Sequence, residues 1–160
     1  MQRSKAASPV TIRAAEATEA AAVKQLLRDS DLPLDGVPDD LADFFVATRG
    51  NDSALVGAIG LERYGDVALL RSAAVRAGER GTGVGDALVQ RIVAYAREHG
   101  IGTLVLLTTT AELWFPRFGF QKIARSAAPQ AVHASAEFRG ACPDTATTMA
   151  LELASASRSL

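Results

Sequence analysis

Arg80-Gly81-Thr82-Gly83-Val84-Gly85 lies between an apolar run and a helical pattern, and its reading decides the fold. Upstream, Val67-Ala68-Leu69-Leu70-Arg71-Ser72-Ala73-Ala74-Val75 predicts a largely buried strand. Downstream, Val84, Leu88, Ile92, Val93 and Ala96 recur at helical spacing. They predict a helix from about Gly83 to His99, with Gly100 as its stop. Glycines let a backbone turn sharply and approach a ligand closely. The first N–H groups of a helix, with its dipole, receive phosphate oxygens. Arg80 can add a charge-assisted bond. No Lys-Ser/Thr pair follows Gly83, so this is not a Walker loop, and Gly-x-Gly-x-Gly is not the dinucleotide spacing. The loop reads as a pyrophosphate cradle, against the plainer alternative of a bare strand–helix turn.

Outward from this loop the elements alternate. Val10 to Arg13 predicts a strand, and Val23, Leu26 and Leu27 predict a helix starting near Thr18, with Glu19 in its first turn. Leu32 to Asp39 reads as a loop, in which Pro38 can open a short helical turn through Leu41. Phe44 to Ala47 is a short strand, and Arg49 to Asp52 a turn. Ala54 to Tyr64 is a long strand, turning at Gly65-Asp66 into Val67 to Val75. Thr103 to Thr108 predicts a buried strand, Glu112 to Phe118 a short helix, and Phe120 to Ile123 a strand. Pro129 to Phe138 reads as helical, and Thr147 to Leu153 alternates like a last strand. The expectation is one mixed α/β domain over residues 9–153, with residues 1–8 disordered and 154–160 frayed.

Composition limits the function classes. The 160 residues suit one domain, and 48% apolar with 22% charged residues is a globular balance. With 17 basic and 18 acidic residues the net charge is −1, which argues against non-specific nucleic-acid binding. The longest apolar runs fall far short of a membrane span. Met1 to Val10 carries two cations and no apolar core, so no secretory signal is expected. The single cysteine, Cys142, excludes an intrachain disulfide and fits a reducing cytoplasm. Two histidines and one cysteine, far apart, have no metal-ligand spacing, and no metal is expected.

The strand Val67–Val75 followed by Arg80–Gly85 resembles motif A of the GCN5-related (GNAT) acetyltransferases. Trp114-Phe115-Pro116-Arg117-Phe118-Gly119-Phe120 resembles their later aromatic-to-Gly-Phe motif, and the likeness runs from about Val10 to Leu153. A narrower resemblance is to the arsenic-resistance N-acetyltransferase branch. It is carried by Tyr64-Gly65-Asp66-Val67-Ala68-Leu69-Leu70-Arg71-Ser72, Leu106-Leu107-Thr108-Thr109-Thr110, Glu137-Phe138 and Cys142-Pro143.

The resemblance implies a central mixed, mostly antiparallel sheet flanked by helices. It also implies a V-shaped splay between two parallel strands, those ending near Val75 and Thr108. Acetyl-CoA would be the donor. Ala73, Ala74 and Val75 would offer main-chain groups to its arm and thioester. Arg80, Gly81, Thr82, Gly83, Val84 and Gly85 would hold its pyrophosphate, with Asp86 close by. The chemistry is attack of a neutral amine on a thioester, so an ammonium must first lose a proton. A backbone N–H would stabilise the oxyanion. Many family members carry a Tyr acid where this chain has Phe115, which has no proton to give.

If Gly65-Asp66 is a two-residue hairpin turn, Glu62 opposes Leu69 and Gly60 opposes Arg71. Gly60, Glu62, Tyr64, Leu69 and Arg71 then share a face, with Glu62 diagonal to Arg71 and Gly60 leaving room beside the guanidinium. Arg71 in an apolar strand needs a partner. It is read as a clamp for a substrate carboxylate or oxyanion, or else as half of a structural ion pair. Glu62 is the candidate base or relay, or the other half of that pair. Tyr64 and Thr108 are candidate substrate contacts, against packing for the first and a cap for the second. His99 suits a helix end, and Cys142 suits a buried thiol better than arsenic capture. Acidic Leu32 to Asp43 is a solvated loop or a cover for the acceptor.

The reading is a cytoplasmic enzyme moving acetyl directly to the amine of a small molecule, in detoxification linked to arsenic resistance, with a homodimer admitted by the resemblance. The alternatives are an antibiotic, a polyamine or a protein N-terminus as acceptor, or a non-catalytic acyl-CoA-binding sensor.

Overall fold

The computed structural model describes residues 9–50 and 54–153. The strands are β1 (Val10–Ala14), β2 (Phe44–Arg49), β3 (Leu55–Tyr64), β4 (Val67–Val75), β5 (Thr103–Thr108), β6 (Gln121–Ile123) and β7 (Thr147–Glu152). The helices are α1 (Ala20–Asp29) and α2 (Val84–Glu98). Seven strands hydrogen-bond in the order β1-β2-β3-β4-β5-β7-β6. The pairs β1/β2, β2/β3, β5/β7 and β6/β7 are antiparallel, and β4/β5 is parallel. This is the mixed α/β class that the strand and helix periodicities predict. The expectations for residues 1–8, Asn51, Asp52 and 154–160 lie outside the described residues.

The chain packs as two compact units, and β3, β4 and α2 each contribute to both. One takes the chain up to Leu34, Pro38–Gly60 and Ser72–Arg91. In it, Val23, Leu26 and Leu27 are the buried face of α1, as their spacing predicts. Gly60 lies opposite Phe44, and a Cβ there would come within 2.5 Å of the Phe44 ring. The space that sequence reasoning assigns to the Arg71 guanidinium is therefore filled by Phe44. Gly57 has a different use: a Cβ there would meet Leu88, Val84 and the Ala74 carbonyl, so its absence lets α2 and β4 close on β3. Ser72 interrupts β4 with a φ of 61°, a conformation rare for a residue with a side chain. Pro38 starts a single turn closed by Leu41 N–H to Pro38 O, 3.1 Å, rather than a helix.

The other unit takes Asp35–Val37, Leu61–Arg71 and the chain from Ile92 on. Here β4 registers with β5 at Val67↔Thr103, Ala68↔Leu104 and Leu69↔Val105. Leu69, Val105, Ala128 and Val132 form a buried cluster, against which Tyr64 and Phe138 pack. Along α2, Ile92 and Ala96 are buried but Val93 is only half-buried, while Val89 is buried. The apolar face is rotated slightly from the one the spacing predicts. Two helical expectations shorten. Glu112 to Phe118 forms a turn and a 3₁₀ segment, Phe115–Phe118, with Pro116 inside it and Gly119 ending it at a φ of 100°. Pro129 to Phe138 breaks at Ser135, which is extended, into a 3₁₀ segment Gln130–Ala134 and a separate wide turn Glu137–Ala141. Gly140, at a φ of 121°, prevents that turn from continuing.

Candidate functional site

The glycine loop is opened by two left-handed glycines, Gly81 with a φ of 82° and Gly83 with a φ of 92°. A Cβ at either would meet nothing within 4 Å, so the backbone faces open space. The Gly83 carbonyl accepts the first helical bond, from Ala87 N–H at 3.1 Å. The helix then begins at Val84, so its first N–H groups lie next to the loop. This is a backbone that fits a pyrophosphate, with the dipole aligned to favour it.

The loop's flank is braced by side chains. Arg80 Nε donates to Val75 O at 3.2 Å, and Thr82 Oγ1 donates to Glu79 O at 2.6 Å. Arg49 reaches from β2 to Glu79 Oε1 at 2.9 Å and to Thr82 Oγ1 at 3.3 Å. Arg49 is a residue that sequence reasoning missed, because only the folded chain brings β2 to the loop. Of the other residues expected to meet the donor, Ala74 is buried, and Ala73, Val75, Gly85 and Asp86 are half-buried.

In the other unit, Glu62 and Arg71 meet as the hairpin register implies, with Arg71 Nη1 to Glu62 Oε2 at 2.5 Å. The Arg71 side chain is 0% exposed. A second acid reaches it, Glu137 Oε2 lying 3.5 Å from Arg71 Nη2. Tyr64 donates its hydroxyl to Glu62 Oε1 at 2.5 Å, and Ser135 hydrogen-bonds Tyr64. Burial, then the Glu62 carboxylate, push Tyr64 up to about 12, so it stays protonated. Burial pushes Glu137 up to about 7, with Glu62 adding to the rise while Arg71 and the Cys142 thiol oppose it. The same burial, with Glu137 beside it, pushes Cys142 up to about 12. That thiol is buried and not a thiolate, which suits packing over arsenic capture. The glycine that makes room beside the guanidinium is Gly36, in the acidic loop. Its φ is 83°, and a Cβ there would come within 2.9 Å of Arg71 Nη1.

Thr108 uses its hydroxyl locally, accepting the N–H groups of Thr110 at 3.3 Å and Ala111 at 2.9 Å. Phe115 is buried among Trp114 and Phe120, with ring centroids 4.9 and 5.6 Å away. His99 closes α2 through Nδ1 and Tyr95 O at 2.9 Å. Glu137 and Gly36 escaped the sequence reading as site residues. Glu137 figures in the sequence only within the Glu137-Phe138 segment of the narrower resemblance, with no role attached, and Gly36 only as a glycine in a polar loop. Only their distance to Arg71 makes them significant. No group of three or more His, Cys, Asp or Glu among the described residues could hold a metal ion.

The chain is similar to known proteins. Residues 40–122, from just before β2 to β6, match a family model described as an acetyltransferase (GNAT) domain. An amino-acid acetyltransferase of Edwardsiella ictaluri is 39% identical over 69 residues, 43% of this chain and 15% of that protein. The N-acetylglutamate synthase of Neisseria gonorrhoeae, complexed with coenzyme A and N-acetyl-glutamate, aligns with a TM-score of 0.76. Its identity is 22%, over 91% of this chain and 35% of that one. An acetyltransferase of the GNAT family from Staphylococcus aureus aligns with a TM-score of 0.71 and 19% identity, over 91% of this chain and 99% of that one. At such identities the structural likeness is one of fold. The matched parts are a fraction of the first two relatives' length, 15% and 35%.

Proposed function

Because this chain belongs to the GNAT acetyltransferase family, we propose that it is an N-acetyltransferase using acetyl-CoA as donor and a small amine as acceptor. The observation that carries the reading is the open glycine cradle at the start of α2, braced by Arg49 and Thr82. When bound, acetyl-CoA supplies the activated acetyl group. Gly81 to Gly85 hold its pyrophosphate, and the Ala73–Val75 backbone receives the amide-bearing arm. Glu62 takes the proton that the acceptor ammonium must lose, since its carboxylate is partly exposed at 15% and held by Tyr64 and Arg71. Arg71, engaged by two carboxylates, orients Glu62 and is the proposed clamp for an acidic acceptor, with its charge shared between Glu62 and Glu137. Tyr64 and Thr108 complete the proposed acceptor side. Phe115 has no proton to give, so the CoA thiolate leaves unassisted or takes a proton by water.

An amino-acid-like acceptor is supported by the name of the Edwardsiella ictaluri relative and by the N-acetyl-glutamate bound to the Neisseria gonorrhoeae synthase. The narrower proposal, detoxification linked to arsenic resistance, rests on the motif resemblance. The same proposal takes residues 9–153 as one catalytic domain of a cytoplasmic enzyme able to form a homodimer. No helix among the described residues is long and apolar enough to cross a membrane. Free-thiol release from acetyl-CoA tests the reading across arsenic- and phosphorus-containing amino acids, ordinary amino acids, polyamines, aminoglycosides and peptides. Selective turnover of an amino acid carrying an oxyanion, lost in Glu62→Gln, is the expected result. Turnover of another class alone removes the arsenic link. Acetyl-CoA binding with no turnover favours a sensor.

A further inference from the structure

One guanidinium stands between two carboxylates, one buried and one partly exposed, and their charges have a chemical consequence. The Arg71, Glu62 and Glu137 side chains are 0%, 15% and 5% exposed. With all three ionised these side chains sum to one negative charge. Buried net charge is costly, so the cluster tends to hold a proton on its more buried acid. That acid is Glu137, whose titratable and charged neighbours are Arg71 on β4, Glu62 on β3 and Cys142 beyond its own turn, with Arg125 the next cation, bonded to Phe138 O at 3.3 Å and acting on Cys142. Glu137 is fixed independently of the guanidinium. Its N–H donates to Ser135 Oγ at 3.1 Å, and Ser135 in turn bonds Tyr64, the partner of Glu62. The contacts therefore close a ring through Glu62, Arg71, Glu137, Ser135 and Tyr64.

We propose that Glu137 is a positioning residue that governs how firmly Arg71 holds Glu62, loosening that hold when Glu137 is ionised. Neutral Glu137 offers the guanidinium no charge to compete with Glu62. Ionised Glu137 competes for it and repels Glu62, which frees the Glu62 carboxylate to accept a proton from the acceptor. Glu137 is 4% exposed and acts on Glu62 by competing for Arg71 and by direct repulsion. Its ionisation falls near neutral pH, within a working range. The inference rests on Glu62 as proton acceptor only for its catalytic meaning, because the coupling itself is measurable without an acceptor.

The test follows the ¹³C carboxyl resonance of Glu62 against pH in the wild type, Glu137→Gln and Glu137→Asp. The wild-type Glu62 signal should show a step near pH 7, absent in Glu137→Gln and reduced but present in Glu137→Asp. A Glu62 signal with the same pH dependence in wild type and Glu137→Gln overturns the inference. If Glu137→Gln does not fold, Glu137→Asp decides: an unchanged step overturns it. Thiol release separates this result from the proposed function. Full turnover by Glu62→Gln would refute Glu62 as base and leave the coupling standing. An inactive Glu62→Gln with uncoupled resonances would refute only the coupling.

Discussion

Glu137→Gln should change the pH dependence of stability in a calculable way. Burial holds the Glu137 carboxyl at about 7 in the folded chain, against an ordinary value of 4.5. Between those values the native state keeps a proton that the unfolded chain has released. Stability therefore falls as pH rises through this window and levels off above it. Integrated from pH 5 to pH 8, the loss is about 2–3 kcal/mol. Gln is nearly isosteric and does not titrate, so this part of the slope vanishes. Urea unfolding at the two pH values, followed by Trp114 fluorescence, should show the wild type losing about 2–3 kcal/mol relative to the variant. In melting temperature that is a relative shift of about 5–10 °C for a chain this size. The absolute stability of the variant at one pH also contains the altered contact with Arg71. The comparison between pH values removes that constant. Parallel stability curves for the two proteins would refute a proton held on Glu137.

Three further outcomes follow from the packing. Gly60→Ala sets a methyl within 2.5 Å of the Phe44 ring and should destabilise the chain by about 1–3 kcal/mol, read by chemical denaturation. Arg49→Ala removes the brace on Glu79 and Thr82, and should raise the KM for acetyl-CoA about tenfold with kcat little changed, partly restored in Arg49→Lys. Thr148 has a buried hydroxyl with no hydrogen-bond partner among the described residues. Thr148→Val should stabilise by about 1 kcal/mol in thermal or urea unfolding.

The strands and both helices were legible because their signals are local. Period-two apolar runs, an i, i+4 stripe and stop glycines such as Gly100 depend on neighbours in sequence. Helical expectations failed where the periodic pattern was short. In Pro129 to Phe138, extended Ser135 and left-handed Gly140 outweighed it, and in Glu112 to Phe118 a proline and Gly119 limited the helix. The Glu62–Arg71 contact was legible for the same local reason, since a two-residue turn sets the hairpin register.

The sequence by itself determined the order of elements, the glycine cradle and its family, and that Arg71 needed an acidic partner. Only the tertiary structure decided how many partners it has. Glu137 and Gly36 come from segments distant in the chain, one converging on the guanidinium and the other leaving room for it. The same distinction governs Gly60, a plausible neighbour of Arg71 in a flat register that in the fold is the floor beneath Phe44. Backbone propensity acts over a few residues, so it can be read along a line. Charge neutralisation and steric room depend on separations in space, which only the folded chain sets.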